Sequence, residues 1–411
     1  MLRLSSAKFL SNRRGNLAML TALMLPVLLG TTGLITDTVE SVMFKREMQR
    51  QADSGAMAGA FALAQQKSVP TSVNLDLTRN ANRTLTIAPV IQQPPASGSY
   101  AGSVKAVRVV LATDVDLPFT HMITRASRRI SAEATAALIS QGEYCVLALE
   151  STAVTGITMT GNASVTLGCG MATNSPANDA VTASGSSAII ATPIAAVGGL
   201  QPSSNYLSPT TLQPYSIPLA DPYANLPDPA ISNGSGKVNV QPNKIQSFSP
   251  GTYKGMDIQG TATFAPGIYY IDGGQFSVGA QGVVIGTGVT IVLTSATAAG
   301  NPSSIATVDM NGGATLNITA PTSGTYKGVL FYQDRRALDG NNKVNGNATS
   351  KLEGALYFPK QGIEFSGNSS ADVKCLQVVG RRVTFTGNSN ITNVCPAGSG
   401  SFKGTRVKLV A

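Results

Sequence analysis

The sequence predicts a mainly β protein carried on an N-terminal transmembrane helix. That helix extends into a long helix, followed by a small α/β domain and a right-handed parallel β-helix. Three observations predict this. Residues 15–36 contain no charge. The composition is turn-rich, with 42 glycines, 12% charged residues and no tryptophan, which suits many short strands better than a helical bundle. A Gly-Asn phrase also recurs at a fixed spacing late in the chain, the mark of a solenoid. At 411 residues the chain is too long for one ordinary core.

The N-terminus comes first. Arg3, Lys8, Arg13 and Arg14 precede Gly15, with no acid among them. Residues 1–14 are therefore expected to form a basic cytoplasmic stub, and 15–66 the anchor and its extension. Twenty-two uncharged positions make about 33 Å of helix, enough to cross a bilayer. Asp37 and Glu40 are the first charges beyond, and the positive-inside asymmetry puts the rest of the chain outside. The run exceeds the roughly 7–15 apolar residues of a signal peptide, so an uncleaved single span is expected.

The helix is expected to continue through "DTVESVMFKREMQRQADSGAMAGAFALAQ" (37–65), which has no proline. Ala52, Gly55, Ala56, Gly59 and Ala60 repeat three and four apart, making a smooth face where another backbone can approach closely. Two occupants fit that face: the chain's own downstream domain, or a partner helix.

These residues carry a resemblance. "RRGNLAMLTALMLPVLLGTTGLITDTVE" followed by "MQRQADSGAMAGAFAL" resembles the N-terminal module of TadE/TadG-like Flp (tight-adherence) pilus-assembly proteins. Pro26, Asp37, Gln49, Ala52, Asp53, Ala58, Gly59 and Ala60 fall on that pattern. Processed pilin-like members carry a Glu five residues after the cut glycine. If Gly15 were that glycine the position is Leu20, so the resemblance is to the TadG-like, unprocessed branch. It implies a protein of the inner membrane with its bulk in the periplasm or at the cell surface. It also implies contact with other TadE/TadG-like or pilus-assembly subunits.

Residues 67–140 read as a small mixed domain. Strands are expected over 104–116 and 128–140, a short helix over 117–126, and a loop over 91–100. Asp114 and Asp116 share one strand face and are expected to be exposed carboxylates rather than a metal pair. His121, the single histidine, is expected to pack.

From 141 to 411 the pattern is that of a β-helix. "TGNAS" (160–164), "NGNAT" (345–349), "SGNSS" (366–370) and "TGNSN" (386–390) repeat, with Gly346, Gly367 and Gly387 spaced 21 and 20 apart. Cys169, Cys375 and Cys395 each lie eight positions after such a glycine, and Cys145 precedes Cys169 by 24. Stacked strands lie about 4.8 Å apart, inside disulfide range. The expected pairs are Cys145–Cys169 and Cys375–Cys395, in an oxidising compartment. Zinc fits poorly, because no C-x-x-C and no second histidine is present. Residues 193–250 hold ten prolines and are expected to be extended, draped along the solenoid. Here too the resemblance continues. "CVLALE" (145–150), the "GN" phrase ending in "GCG" (161–170), Asn174-Ser175, 221–227 and 328–370 look like TadG-like proteins with a C-terminal β-helix.

Catalysis is the weaker expectation. β-Helices host polysaccharide-active enzymes, and "QDRRALD" (333–339) offers Asp334 and Asp339 with Arg335 or Arg336. No equivalent carboxylate recurs on other repeats: Asp257, Asp272, Asp309, Glu353, Glu364 and Asp372 stand in different contexts. No P-loop, HExxH or calcium repeat is present. No cofactor or metal is implied. The formal charge is +9, but the basic residues are scattered with no aromatic-interleaved stripe, which argues against nucleic acid. The expected role is non-catalytic binding and scaffolding in pilus assembly or attachment, with surface glycans a candidate ligand. A polysaccharide-active enzyme and a pilus-independent adhesin are the alternatives.

Overall fold

The computed structural model describes residues 13–81, 85–232, 234–347, 350–366, 370–373, 376–393 and 402–410. The chain is mainly β and divides into two compact units, 1–139 with 407–411, and 140–406.

The first unit is built on α1 (Arg13–Ala64), a single helix of 52 residues that runs through Pro26. Part of it is long and apolar enough to cross a membrane, a test that a signal sequence also passes. Its two halves behave differently. Leu20, Leu23, Leu28 and Ile35 are exposed, whereas Phe44, Met48, Ala52, Ala56 and Ala60 are core. A second helix, α2 (Val69–Arg79), follows a tight turn; the sequence reading missed it. Its signals were local. The Ser68 hydroxyl caps the N–H of Thr71, and Val69, Val73 and Leu77 at i, i+4, i+8 form its buried face.

Strands β1 (Val90–Gln92), β2 (Ala106–Val115) and β3 (Arg128–Ala148) form an antiparallel sheet. Val107, Val109 and Leu111 alternate inward on β2 and join Ile130, Ala132, Ala134 and Ala136 of β3 in a core shared with α1 and α2. Between β2 and β3 lies α3 (Pro118–Thr124). The strands expected over 104–116 and 128–140 are present. The second runs on to Ala148, because its apolar alternation continues into the next unit without a turn signal.

The second unit consists of short parallel strands in three stacks. In the first, Val238–Val240 pairs Met256–Ile258, then Gln275–Val278, Thr307–Met310 and Asn341–Lys343. In the second, Gly251–Tyr253 pairs Gly267–Asp272, then Val289–Thr294 and Val329–Gln333. In the third, Ile245–Phe248 pairs Thr261–Phe264, then Val283–Thr287 and Thr315–Thr319. The long strand Lys351–Phe365 continues all three, through 351–353, 355–357 and 362–364. Each stack turns one side chain in two inward, so Ile258, Val278, Met310, Phe264, Phe276 and Phe331 share one core. Aromatic pairs run along it, Phe248 on Phe264 at 5.3 Å and Phe365 on Phe385 at 5.2 Å.

The stacking order is not the chain order. Strand Leu376–Phe385 pairs on one side with Lys351–Phe365 and on the other with 146–148 and Ile157–Met159. From there the stacks continue into Gly170–Thr173 and Val181–Ala183, then Ile194–Ala196 and Leu212–Gln213. The early block 144–213 is thus seated on the late end of the chain. The repeated phrase marks that seam. Gly161 and Gly387 both adopt positive φ (71° and 68°) and lie against each other, and the Asn162 side chain donates to Asn388 Oδ1 at 3.0 Å. A Cβ on Gly161 would stand 3.0 Å from the Gly387 backbone, so both conformation and closeness call for glycine.

The proline-rich stretch is shorter as a free-running segment than expected. Ile194–Ala196, Leu212–Gln213, Val238–Val240 and Ile245–Phe248 are strands within it. Pro193 and Pro209 stand just ahead of strands and Pro250 between two, positions that demand no ladder N–H from proline. The remainder, about 217–235, is the strap that returns the chain from one end of the stacks to the other. It touches successive layers in descending order. Leu219 exchanges two bonds with the Asn174 side chain, both 2.8 Å. Tyr357 donates to Asp221 at 2.7 Å, and Tyr332 to the Pro227 carbonyl at 3.3 Å. The Gly234 N–H donates to Asp272 at 2.9 Å.

Candidate functional site

The strongest catalytic candidate in the sequence, "QDRRALD", proves to be what holds this strap. Arg335 donates to the carbonyls of Tyr223 and Ala224 at 3.0 and 2.8 Å. Arg336 donates to the Pro229 carbonyl at 3.0 Å. Asp334 is fully buried; it accepts from Thr294 at 2.7 Å and from the Arg336 side chain and N–H. Burial pushes its carboxyl up, but those donors outweigh burial and hold it below the usual range. A carboxylate so fixed in the ionised form is no general acid. Both arginines therefore hold the strap, and Asp334 in turn holds Arg336.

Asp339, the other carboxylate of that phrase, belongs to a second cluster that the sequence reading missed. It pairs with Arg381 at 3.0 Å and Arg382 at 2.6 Å. The same two guanidiniums each reach Glu150 at 3.0 Å. Glu150 is buried and also accepts from the Thr152 hydroxyl and N–H at 2.7 and 3.0 Å. Burial raises its pKa, but Thr152 and Arg381 overcome this and hold it at about 2. The cluster closes the seam between the early and late blocks. One local signal was available: a single acid ends the apolar run "CVLALE", and an adjacent Arg-Arg pair breaks "VVGRRVTF".

An open concavity of about 450 Å³ lies over Asp309, Asn311, Gly313, Lys343, Asn345 and Ser366. Asp309 and Lys343 are register partners on neighbouring strands. Asn345 accepts from the Ser366 N–H at 2.7 Å. Its lining of hydroxyl, amide and one charge of each sign suits shallow hydrogen bonding to a polar ligand, with neither a histidine nor a second carboxylate for proton transfer. Among the described residues no cluster of three or more His, Cys, Asp or Glu side chains is placed to hold a metal ion.

Ala52, Ala56 and Ala60 are fully buried. A Cβ at Gly55 would lie 3.3 Å from Leu77, and one at Gly59 2.8 Å from Val107 and 2.9 Å from Val73. The small-residue face is filled by α2 and β2 of its own unit, which corrects the expectation of a partner helix there. Gln49 donates to Asp53 and to the Glu133 carbonyl, at 2.9 and 2.8 Å, fixing α1 to β3. Cys145 and Cys169 lie at disulfide distance with Cα atoms 5.8 Å apart; Cys145 is at the register shift of β3 and Cys169 just precedes its partner strand Gly170–Thr173. Cys375 and Cys395 lie outside the described residues. Asp114 pairs with Arg129 at 3.0 Å. His121 does not pack in the core: its side chain is half exposed, 3.4 Å from Asp116. It falls on the open side of α3, a helix of only two turns whose buried neighbour is Leu117.

One further arrangement sits at the end of the apolar run. Asp37 is buried and accepts the N–H groups of Phe119 and Thr120, at 3.3 and 2.5 Å. One turn earlier, Gly33 leaves the notch that the Phe119 ring fills, since a Cβ there would fall 2.4 Å from it. Gly33 and Asp37, four apart on one face of α1, together seat α3.

No family model, curated protein or solved structure matches this chain.

Proposed function

We propose that this chain is a membrane-anchored, non-catalytic component of tight-adherence (Flp) pilus assembly or surface attachment. It would be TadG-like, with an extracytoplasmic right-handed β-helix used for binding and scaffolding. One observation carries the reading: the division of α1. Its first half exposes leucines, methionines, Val27 and Ile35 that water would not tolerate in such density, and its second half is core to a folded unit. Because Gly33 and Asp37 already hold α3, a cut that removed the span would have to fall before them. That favours a retained anchor over a cleaved signal.

The β-helix assignment is supported by parallel pairing of each strand with one lying one circuit further on, over three stacks that share one core. The compartment is supported by the Cys145–Cys169 pair, which an oxidising environment would keep linked. The non-catalytic role is supported by the engagement of Arg335 and Arg336 by the strap and of Asp334 by Thr294 and Arg336. The concavity at Asp309 and Lys343 offers a polar face for glycans. Partner subunits would meet surfaces other than the filled small-residue face. The test is a deletion strain. Loss of pili by electron microscopy, restored by the full chain, is expected. Normal piliation together with normal attachment would refute the proposal.

A further inference from the structure

We infer that α3 is a second membrane contact, an interfacial foot lying in the headgroup region of the leaflet where α1 emerges. The inference rests on reading α1 as a membrane span. Helix α3 is anchored to α1 at Gly33 and Asp37, at the end of the uncharged run. Two of its side chains are apolar and bare: Met122 is 75% exposed and Ile123 67%, beside exposed Thr124, while the Phe119 ring sits in the Gly33 notch. No residue of α3 is buried. A two-turn helix that turns its methionine and isoleucine away from its own protein has another apolar phase to meet.

The apolar surface of α1 runs past Asp37 to the same level. Val39, Val42 and Met43 are exposed beside Leu34 and Ile35. From Met19 to Met43 the exposed stripe spans about 36 Å of helix, against roughly 30 Å of hydrocarbon. The excess of about 6 Å reaches into the interface, where α3 lies alongside. Basic residues frame this edge. Lys45 and Arg46 follow on α1, and Arg125 and Arg128 follow α3, all exposed. Asp37, which would be costly near lipid, is covered and satisfied by the α3 backbone. Glu40 is half buried on the same stretch and Asp116 is exposed at its rim. Glu47, also half buried, follows Arg46; four exposed cations against these three acids complement an anionic lipid surface. The occupant is therefore the bilayer interface, bound through acyl contact with Met122 and Ile123 and through headgroup contact with the arginines and Lys45.

The chain contains no tryptophan, so single tryptophans report without background. The full chain is reconstituted in phosphatidylcholine–phosphatidylglycerol vesicles carrying lipids brominated at shallow or deep acyl positions. Three variants are compared: Leu28→Trp in the span, Met122→Trp on α3, and Ile245→Trp on an exposed strand of the second unit. Expected are quenching of Leu28→Trp by deep bromines and none for Ile245→Trp. Met122→Trp should show blue-shifted emission and quenching several-fold stronger by shallow than by deep bromines. Unquenched, red emission from Met122→Trp with Leu28→Trp quenched would overturn the foot and leave the span standing. Loss of quenching at Leu28→Trp would remove the span, and the foot with it.

Discussion

Glu150 offers the sharpest test of how the second unit is held together. Its carboxylate is buried between Arg381 and Arg382, more than 200 residues away in the chain, and closes the seam where residues 146–148 pair with 378–380. Replacing it by glutamine keeps size and one acceptor for Thr152 but removes the charge. The pKa is depressed from 4.5 to about 2, and at 1.36 kcal/mol per unit that is about 3 kcal/mol of folding stability. The sign follows from the depression. The stabilisation is complete above the unfolded value of 4.5 and is lost as pH falls towards 2. Leaving two guanidiniums with only Asp339 adds a cost of the same sign at neutral pH. The assay is urea unfolding of the full chain in detergent, followed by near-ultraviolet circular dichroism, on wild type and Glu150→Gln from pH 7 to pH 2.5. Urea is preferable to guanidinium because its neutrality leaves the ion cluster unscreened. At pH 7 the variant should be less stable by about 3 kcal/mol. Below pH 4.5 the gap should narrow, because wild type loses the increment and the variant has none to lose. A gap under about 1 kcal/mol at pH 7, or one that stays constant down to pH 2.5, would refute the reasoning.

Other outcomes follow from the same contacts. Arg335→Ala with Arg336→Ala frees the carbonyls of Tyr223, Ala224 and Pro229, so limited proteolysis should cut within 217–235 at least ten-fold faster than in wild type; unchanged cleavage would mean the strap is held otherwise. Gly59→Leu pushes side-chain atoms into Val107 and Val73, and should destabilise the first unit by about 3 kcal/mol or more. Stability rather than partner binding is the quantity to measure, and an unaltered unfolding midpoint would contradict the packing. Cys145→Ser opens a loop closed across 24 positions, which should cost about 3 kcal/mol. Titration of the denatured, unreduced wild type should find no more than two of the four cysteines as free thiols, and four would exclude the pair.

Much of the first unit was legible locally. The strands at 104–116 and 128–140 and the helix between them alternate or repeat in the sequence as they do in the fold. Helix α2 was missed although its Ser68 cap and its i, i+4, i+8 stripe were present, because a short helix beside a proline reads as a turn. Of the candidate site, the phrase "QDRRALD" was legible as a charged loop or turn, and residues 335–336 do form a turn; what it holds was not. A local pattern shows that a carboxylate and two arginines are adjacent, but not that three backbone carbonyls from residues 223–229 come to meet them.

The sequence by itself determined the apolar stretch near the N-terminus and the β character of most of the remainder, and it pointed to Cys145–Cys169 among three possible connectivities, the pair the structure brings together. Each rests on neighbours or on a period of about one layer, where spacing alone sets geometry. Only the tertiary structure decided which layer follows which. It placed residues 146–173 beyond 376–393, turned part of a proline-rich stretch into a return strap, and filled the small-residue face of α1 with α2 and β2. The reason is physical. Stacked parallel strands present the same ladder of N–H and C=O groups at every layer, so backbone pairing accepts many orders of stacking. The choice among them falls to side chains that meet across long chain separations, such as Glu150 with Arg381 and Arg382 and Gly161 with Gly387.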